Sequence, residues 1–136
     1  MPNDMHRLLA SMLGLPAWVQ AWMVILLATN MAAFAFLDTD VGFWTAGAFA
    51  VVAAFNLPMM VIQGGLTRLL SVPHFVWLAL VPYLFLSLFG SEPLPPGSTR
   101  HFAVAVLVVN SISLMFDFLE VYRWLKGQRE VLGISR

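Results

Sequence analysis

The chain has 136 residues, of which 60% are hydrophobic and only 10% are charged, with a formal net charge of zero and no cysteine. A soluble domain of this size buries only about two-thirds of the surface that its unfolded chain exposes, too little to cover so many apolar side chains. The balanced charge removes any electrostatic case for nucleic acid, and the lack of cysteine excludes disulfides and thiolate chemistry. We therefore expect an all-α integral membrane protein whose surroundings are the lipid bilayer.

Residues 1–16 form the first predicted element, an amphipathic segment. One helical face is apolar and consists of Met5, Leu8, Leu9, Met12 and Leu15. The opposite face is small or polar and consists of His6, Arg7, Ser11 and Gly14. The pattern is typical of a short helix that lies in the membrane interface before Pro16 turns the chain, and a frayed amphipathic tail is the other interpretation. The apolar run that follows is too long for a usual signal peptide, so we expect the segment to be retained.

Four apolar segments follow, and a membrane-spanning helix needs about 20 such residues. Their predicted bounds are 17–37, 43–63, 73–89 and 101–122. Glycine pairs, prolines and acidic turns separate them, as expected between helices. Because the connections are short, the sequence predicts four transmembrane helices in an up-down antiparallel bundle. Residues 17–124 are then the transmembrane domain, and residues 125–136 are a basic cytoplasmic tail.

Orientation follows from the distribution of Lys and Arg. With four spans, both termini and the middle loop share one side, and that side holds six of the seven basic residues. Basic residues collect on the cytoplasmic side of membrane proteins. We therefore predict a multi-pass protein of the cell inner (plasma) membrane with both termini in the cytoplasm.

The second predicted span contains a stripe of small residues and a proline. Ala46, Ala50 and Ala54 repeat every four residues, a pattern that lets helix backbones approach closely in lipid. Pro58 leaves the carbonyl of Ala54 without its usual helical partner. We expect a neighbouring helix or the side chain of Asn56 to satisfy that carbonyl.

A polar stripe runs along the fourth predicted span. Asn110, Ser113, Asp117 and Glu120 follow spacings of three and four residues, so they fall within an arc of about 80°. An ionised aspartate at a helix centre costs roughly 2.5–3.5 kcal/mol in lipid, so this stripe should face the protein interior. Two roles stay open for Asp117, a structural one and a functional one, whereas Glu120 with Arg123 suits an interfacial ion pair.

Other polar residues fall on the same predicted cytoplasmic half, namely Asn56, Gln63, Arg68 and His74. A folded bundle could bring several of them close to the two carboxylates of the fourth span. Each also has a structural interpretation. His74 suits a capping or hydrated histidine at the interface, Asn56 suits a helix–helix hydrogen-bond partner, and Arg68 suits a topology determinant.

Three functions remain as hypotheses. The first is helix–helix association, as a homo-oligomer or as an accessory subunit of a larger membrane complex. The second is an oligomeric proton- or cation-linked transporter or channel that uses Asp117 and Glu120, whose like charges should repel on one helical face. The third is a membrane-embedded enzyme that uses His74 with these carboxylates, or a lipid-binding protein. No metalloprotease, nucleophile-elbow or phosphate-loop motif is present, so we predict no catalytic residue, no metal and no cofactor.

Overall fold

A computed structural model describes residues 2–134, which fold into five α-helices and three short 3-10 helices without a strand in that range. The α-helices are α1 (Pro2–Leu13), α2 (Ala17–Met31), α3 (Asp40–Gln63), α4 (Trp77–Phe89) and α5 (Ser98–Leu125). The 3-10 helices are Ala32–Ala35, Arg68–Ser71 and Pro73–Val76. Four helical stretches are long and apolar enough to cross a membrane: Ala17–Ala35, Asp40–Gln63, Arg68–Phe89 and Ser98–Leu125. The prediction of an all-helical chain with four such helices is confirmed.

Capping explains where α3 begins and ends. The helix begins three residues before the predicted start because the Thr39 hydroxyl accepts a hydrogen bond from the Gly42 amide at 3.0 Å. Such N-caps satisfy amides that lack an intrahelical partner. The helix ends at the predicted Gln63, where Gly64 adopts the left-handed conformation with φ of 68°. Glycine takes this conformation without steric cost.

The third span differs from the prediction of one helix over residues 73–89. Its α-helix begins only at Trp77, and two 3-10 turns precede it. Pro73 is the first residue of the second turn, where its missing N–H is tolerated and its fixed φ suits a helical start. These turns lie against α3 and α5, so they carry the side chains of residues 68–76 towards the last helix.

The four long helices pack in a closed ring of neighbours. α2 contacts α3 and α5, and α4 also contacts both α3 and α5. α5 is the most enclosed helix, since 39% of its most apolar stretch is buried, against 11% for the stretch that begins at Ala17. The core includes Leu84, Leu88, Ala103 and Val106. Many large apolar side chains on the outer surface of the helices are exposed.

A pair of asparagines joins α2 to α5. Asn30 Nδ2 donates to Asn110 Oδ1 at 2.8 Å, and Asn110 Nδ2 donates back to Asn30 Oδ1 at 3.0 Å. Asn30 also donates to the carbonyl of Leu26 at 2.9 Å. Both side chains are buried. The reciprocal bonds satisfy two amides that would otherwise be costly to bury.

Three hydrogen bonds among Ser11, Leu66 and Leu132, called the clasp below, fix the N-terminal helix to the C-terminal segment. The Ser11 hydroxyl donates to the Leu132 carbonyl at 2.6 Å and accepts from the Leu66 amide at 3.0 Å. The Leu132 amide donates in turn to the Leu66 carbonyl at 2.8 Å. Gly14 and Gly133 permit this approach, because a Cβ on Gly14 would lie 1.7 Å from the Gly133 carbonyl oxygen. Residues 131–133 of the predicted basic tail therefore fold back over α1 and the loop after α3.

We expect Asn110→Ala to lower the free energy of unfolding by about 1–2 kcal/mol, because Asn30 keeps a buried amide that loses its interhelical partner. Unfolding in mixed micelles of rising SDS content measures this. Val108→Ala, at a half-exposed position of the same helix, is the matched control. An Asn110 variant as stable as this control would contradict a stabilising role for the pair.

Candidate functional site

The predicted polar residues of the third and fourth spans meet at His74 and Asp117. His74 Nδ1 lies 3.0 Å from Asp117 Oδ1, within hydrogen-bond and ion-pair distance. The exposed fractions of these side chains are 16% and 7%. The 3-10 turn that begins at Pro73 presents His74, while the helical spacing of α5 turns Asp117 inward. A histidine and a carboxylate are thus paired in an almost closed environment.

Trp77 completes this site. Its indole ring stacks on the His74 imidazole with ring centroids 4.4 Å apart and an interplanar angle of 5°. Stacking fixes the imidazole plane and shields one of its faces from the surroundings. Trp77 Nε1 and Asp117 Oδ2 are both buried without a hydrogen-bond partner among the described residues. The Trp77 Nε1 donor and the Asp117 Oδ2 acceptor, both without a described partner, therefore belong to the two residues that contact His74.

The proton arrangement of the pair has a chemical consequence. When Nδ1 carries the proton, it donates to Asp117, and Nε2 keeps a lone pair. No described residue is hydrogen-bonded to Nε2 of His74. A carboxylate that orients a histidine in this way is a common arrangement for a general base, a proton carrier or a metal ligand. No group of three or more His, Cys, Asp or Glu side chains that could hold a metal occurs within residues 2–134.

A second ionic group lies one turn further along α5. Arg68 Nε is 3.1 Å from Glu120 Oε2, close enough for an ion pair although its N–H is not directed along a hydrogen bond. Arg123 Nη1 donates to Glu120 Oε1 at 3.0 Å, as its spacing on the helix predicted. Arg68 Nη1 donates to Glu130 Oε1 at 2.8 Å. Glu120 is therefore held between two arginines, and no contact joins it to Asp117.

The remaining predicted residues divide between paired and unpaired positions. Gln63 pairs with Thr67 through their side chains, one turn apart along the chain. Ser113 is buried on α5, between the asparagine pair and Asp117. Asn56 Oδ1 is buried and accepts no hydrogen bond from the described residues, so the side chain is not seen in the helix-pairing role expected of it. The structure thus brings His74 to Asp117 and Arg68 to Glu120, but it leaves Asn56 and Gln63 out of both pairs.

Sequence reasoning missed three residues of this region. Asn30 is the lone asparagine of the first span, and its match with the lone asparagine of the fourth span was the available signal. Trp77 follows His74 by three residues, a spacing that permits stacking on a helical turn. Glu130 gave no signal, because its contact with Arg68 depends on the return of the C-terminal segment.

No known protein family, no curated protein and no solved structure matches this chain.

Substitution of Asp117 tests whether the pair stabilises the fold. Asp117→Leu leaves the half-buried His74 without its partner, so we expect a loss of about 1–3 kcal/mol in the free energy of unfolding. Asp117→Asn keeps an oxygen acceptor of the same shape and should cost less than half as much. Thermal unfolding in detergent measures both. Equal stability of the Leu variant and the parent would show that the pair adds nothing to the fold.

Proposed function

We propose that the chain is a four-span protein of the inner membrane, arranged as an up-down antiparallel bundle with both termini in the cytoplasm. The exposure of its apolar side chains supports insertion, since Ile62 on α3 is 82% exposed and Met115 on α5 is 73% exposed. In water such exposed apolar surfaces would cause aggregation, whereas in a bilayer the acyl chains of the lipids solvate them. The excess of basic residues at the end that holds both termini supports the orientation.

We further propose that the protein acts through helix–helix association as a homo-oligomer. The observation that carries this proposal is an open groove of about 470 Å³ between α3 and α4, lined almost wholly by apolar side chains. Its lining includes the small residues Gly47, Ala48 and Ala79. Small residues allow two helix backbones to approach closely in lipid, where close packing and not hydrophobicity drives association.

A second copy of the chain is the occupant that fits this groove best. Gly47, Ala50 and Ala54 are exposed along one side of α3 at spacings of three and four residues. A two-fold symmetric interface places the same surface of two copies face to face, so one stripe of small residues meets another. Asn110 is hydrogen-bonded to Asn30, and Glu120 is paired with Arg68. Because these polar groups already have partners within the chain, they support a role in helix packing and association.

Cross-linking of single-cysteine variants tests this proposal, and the parent chain contains no cysteine. A Cβ at Gly47 would have no heavy atom within 4 Å, so Gly47→Cys should leave the fold undisturbed. With a membrane-permeable bis-maleimide in native membranes, we expect a product of twice the chain mass. A product with a different protein would instead indicate an accessory subunit of a larger complex.

Ala105→Cys is the matched control, because Ala105 is exposed and, like Gly47, lies about two helical turns from the start of its helix. It belongs to α5 and does not line the groove. If Gly47→Cys gives no more cross-linked product than Ala105→Cys, the groove is not an association surface.

Proton- or cation-linked transport through Asp117 and Glu120 is the second candidate function. The observation that favours it is the buried, unpartnered Oδ2 of Asp117 beside His74, because a free carboxylate oxygen can accept a proton or a cation. Four spans form a narrow conduit, so this function requires the homo-oligomer proposed above.

In proteoliposomes with an imposed pH gradient, we expect Asp117→Asn and Glu120→Gln to abolish the flux. Glu92→Gln removes an exposed carboxylate outside the candidate site and should leave the flux unchanged. A pH-sensitive dye in the lumen gives the readout. The transport candidate fails if the parent moves no ions, or if both site variants match the parent.

A further inference from the structure

A cavity of about 280 Å³ lies between α1 and the C-terminal segment, lined by Arg7, Arg129, Glu130, Val131 and Ile134. We infer that this cavity binds the phosphate of an anionic lipid headgroup. The inference goes beyond association of the helices, and it rests on the proposed membrane insertion and orientation.

The two arginines are available to an anion. No hydrogen bond or ion pair joins Arg7 to another described residue, and its guanidinium lies against Gly64 at the end of α3. Arg129 stacks over the Trp124 ring at 5.2 Å and donates Nε to the Trp124 carbonyl at 3.3 Å. Those contacts orient its guanidinium and leave the two terminal nitrogens free of any other described partner. Planar guanidinium groups suit bidentate contacts with phosphate.

The one acidic residue among the described residues that line the cavity, Glu130, does not cancel this charge. The Glu130 carboxylate is bound to Arg68 at 2.8 Å, so its negative charge is already countered. Arg7 and Arg129 therefore leave an excess of positive charge in the cavity. Basic pockets at the cytoplasmic side of membrane proteins bind anionic headgroups for this reason.

The clasp holds the cavity open in a defined shape. The bonds from Ser11 to Leu132 and to Leu66 fix the C-terminal segment beside α1, and they leave Arg129 and Arg7 on the same cavity. A ligand would therefore find its two cations in place and would not have to order a free tail. Preorganisation of this kind lowers the entropic cost of binding.

The surroundings favour a lipid over a soluble phosphate. Part of the apolar face of α1 points away from the protein, since Met5 is 59% exposed and Leu9 is 46% exposed. An amphipathic helix in this orientation places its apolar face at the boundary between headgroups and acyl chains. The cavity beside its polar face is then at headgroup depth, where a lipid phosphate can enter while its acyl chains remain in the bilayer.

Native mass spectrometry of the detergent-solubilised full chain tests the inference with phosphatidylglycerol and phosphatidylcholine as probes. We expect the parent to retain phosphatidylglycerol in preference to phosphatidylcholine. Arg7→Gln and Arg129→Gln should each weaken the retention of phosphatidylglycerol by about fivefold, and the losses should add in the double variant. Lys126→Gln is the matched control, since Lys126 is a nearby cation over an aromatic ring, Tyr122, but does not line the cavity.

Three results would overturn the inference: a double variant that keeps the parental affinity, a loss in Lys126→Gln equal to the loss in Arg7→Gln, or complete displacement of the lipid by millimolar inorganic phosphate. The last result would assign the site to a soluble phosphate. A circular dichroism spectrum equal to that of the parent confirms that each variant is folded. The cross-linking of Gly47→Cys uses none of these residues, so the two proposals fail independently.

Discussion

Hydrogen bonds between polar side chains of α5 and its neighbours fix how the helices of this protein fit together. Asn110 pairs with Asn30 of α2, and Asp117 pairs with His74 from the turn before α4. Apolar packing tolerates small rotations and shifts of a helix, but a hydrogen bond holds only near its preferred distance and angle. Within a bilayer no water replaces a lost partner, so the constraint is stronger there than in a soluble core. The two pairs set the register of α5 at two points along its length.

These two pairs differ in how completely they are satisfied. The two asparagine amides donate to and accept from each other, so the oxygen and the nitrogen of each amide have a hydrogen-bond partner. Around His74 the pairing is incomplete, because Asp117 Oδ2 and Trp77 Nε1 are buried without described partners. A buried group without a partner costs about 1–3 kcal/mol, so each one calls for an explanation such as strain, a catalytic role or a bound water or ion. The asparagine pair therefore suits a structural role, whereas the histidine site keeps a donor and an acceptor without described partners.

Much of the fold could be predicted from the sequence, because long apolar runs and a polar stripe of helical period leave a direct pattern. The inward direction expected of Asp117 agrees with its burial. The partners were harder to predict, since periodicity tells which face of a helix is polar but not which helix it meets. For example, the polar stripe of α5 did not reveal that Asn110 pairs with Asn30 of α2. The clasp gave no recognisable sequence pattern, because it joins the Ser11 hydroxyl to backbone atoms. The glycines beside it matter only because they lack a Cβ.

The orientation of α1 follows the same physical logic as the long helices. In water an amphipathic helix packs its apolar face inward, yet here Ser11 is fully buried and Met5, on the apolar face, is 59% exposed. The clasp satisfies the polar atoms of Ser11 from inside the protein, which leaves the apolar face free to meet something else. Hydrocarbon at the edge of a bilayer is the surrounding that makes this reversal favourable. The proposed bilayer thus explains three features at once: the outward apolar face of α1, the open groove of α3 and α4, and the inward polar stripe of α5.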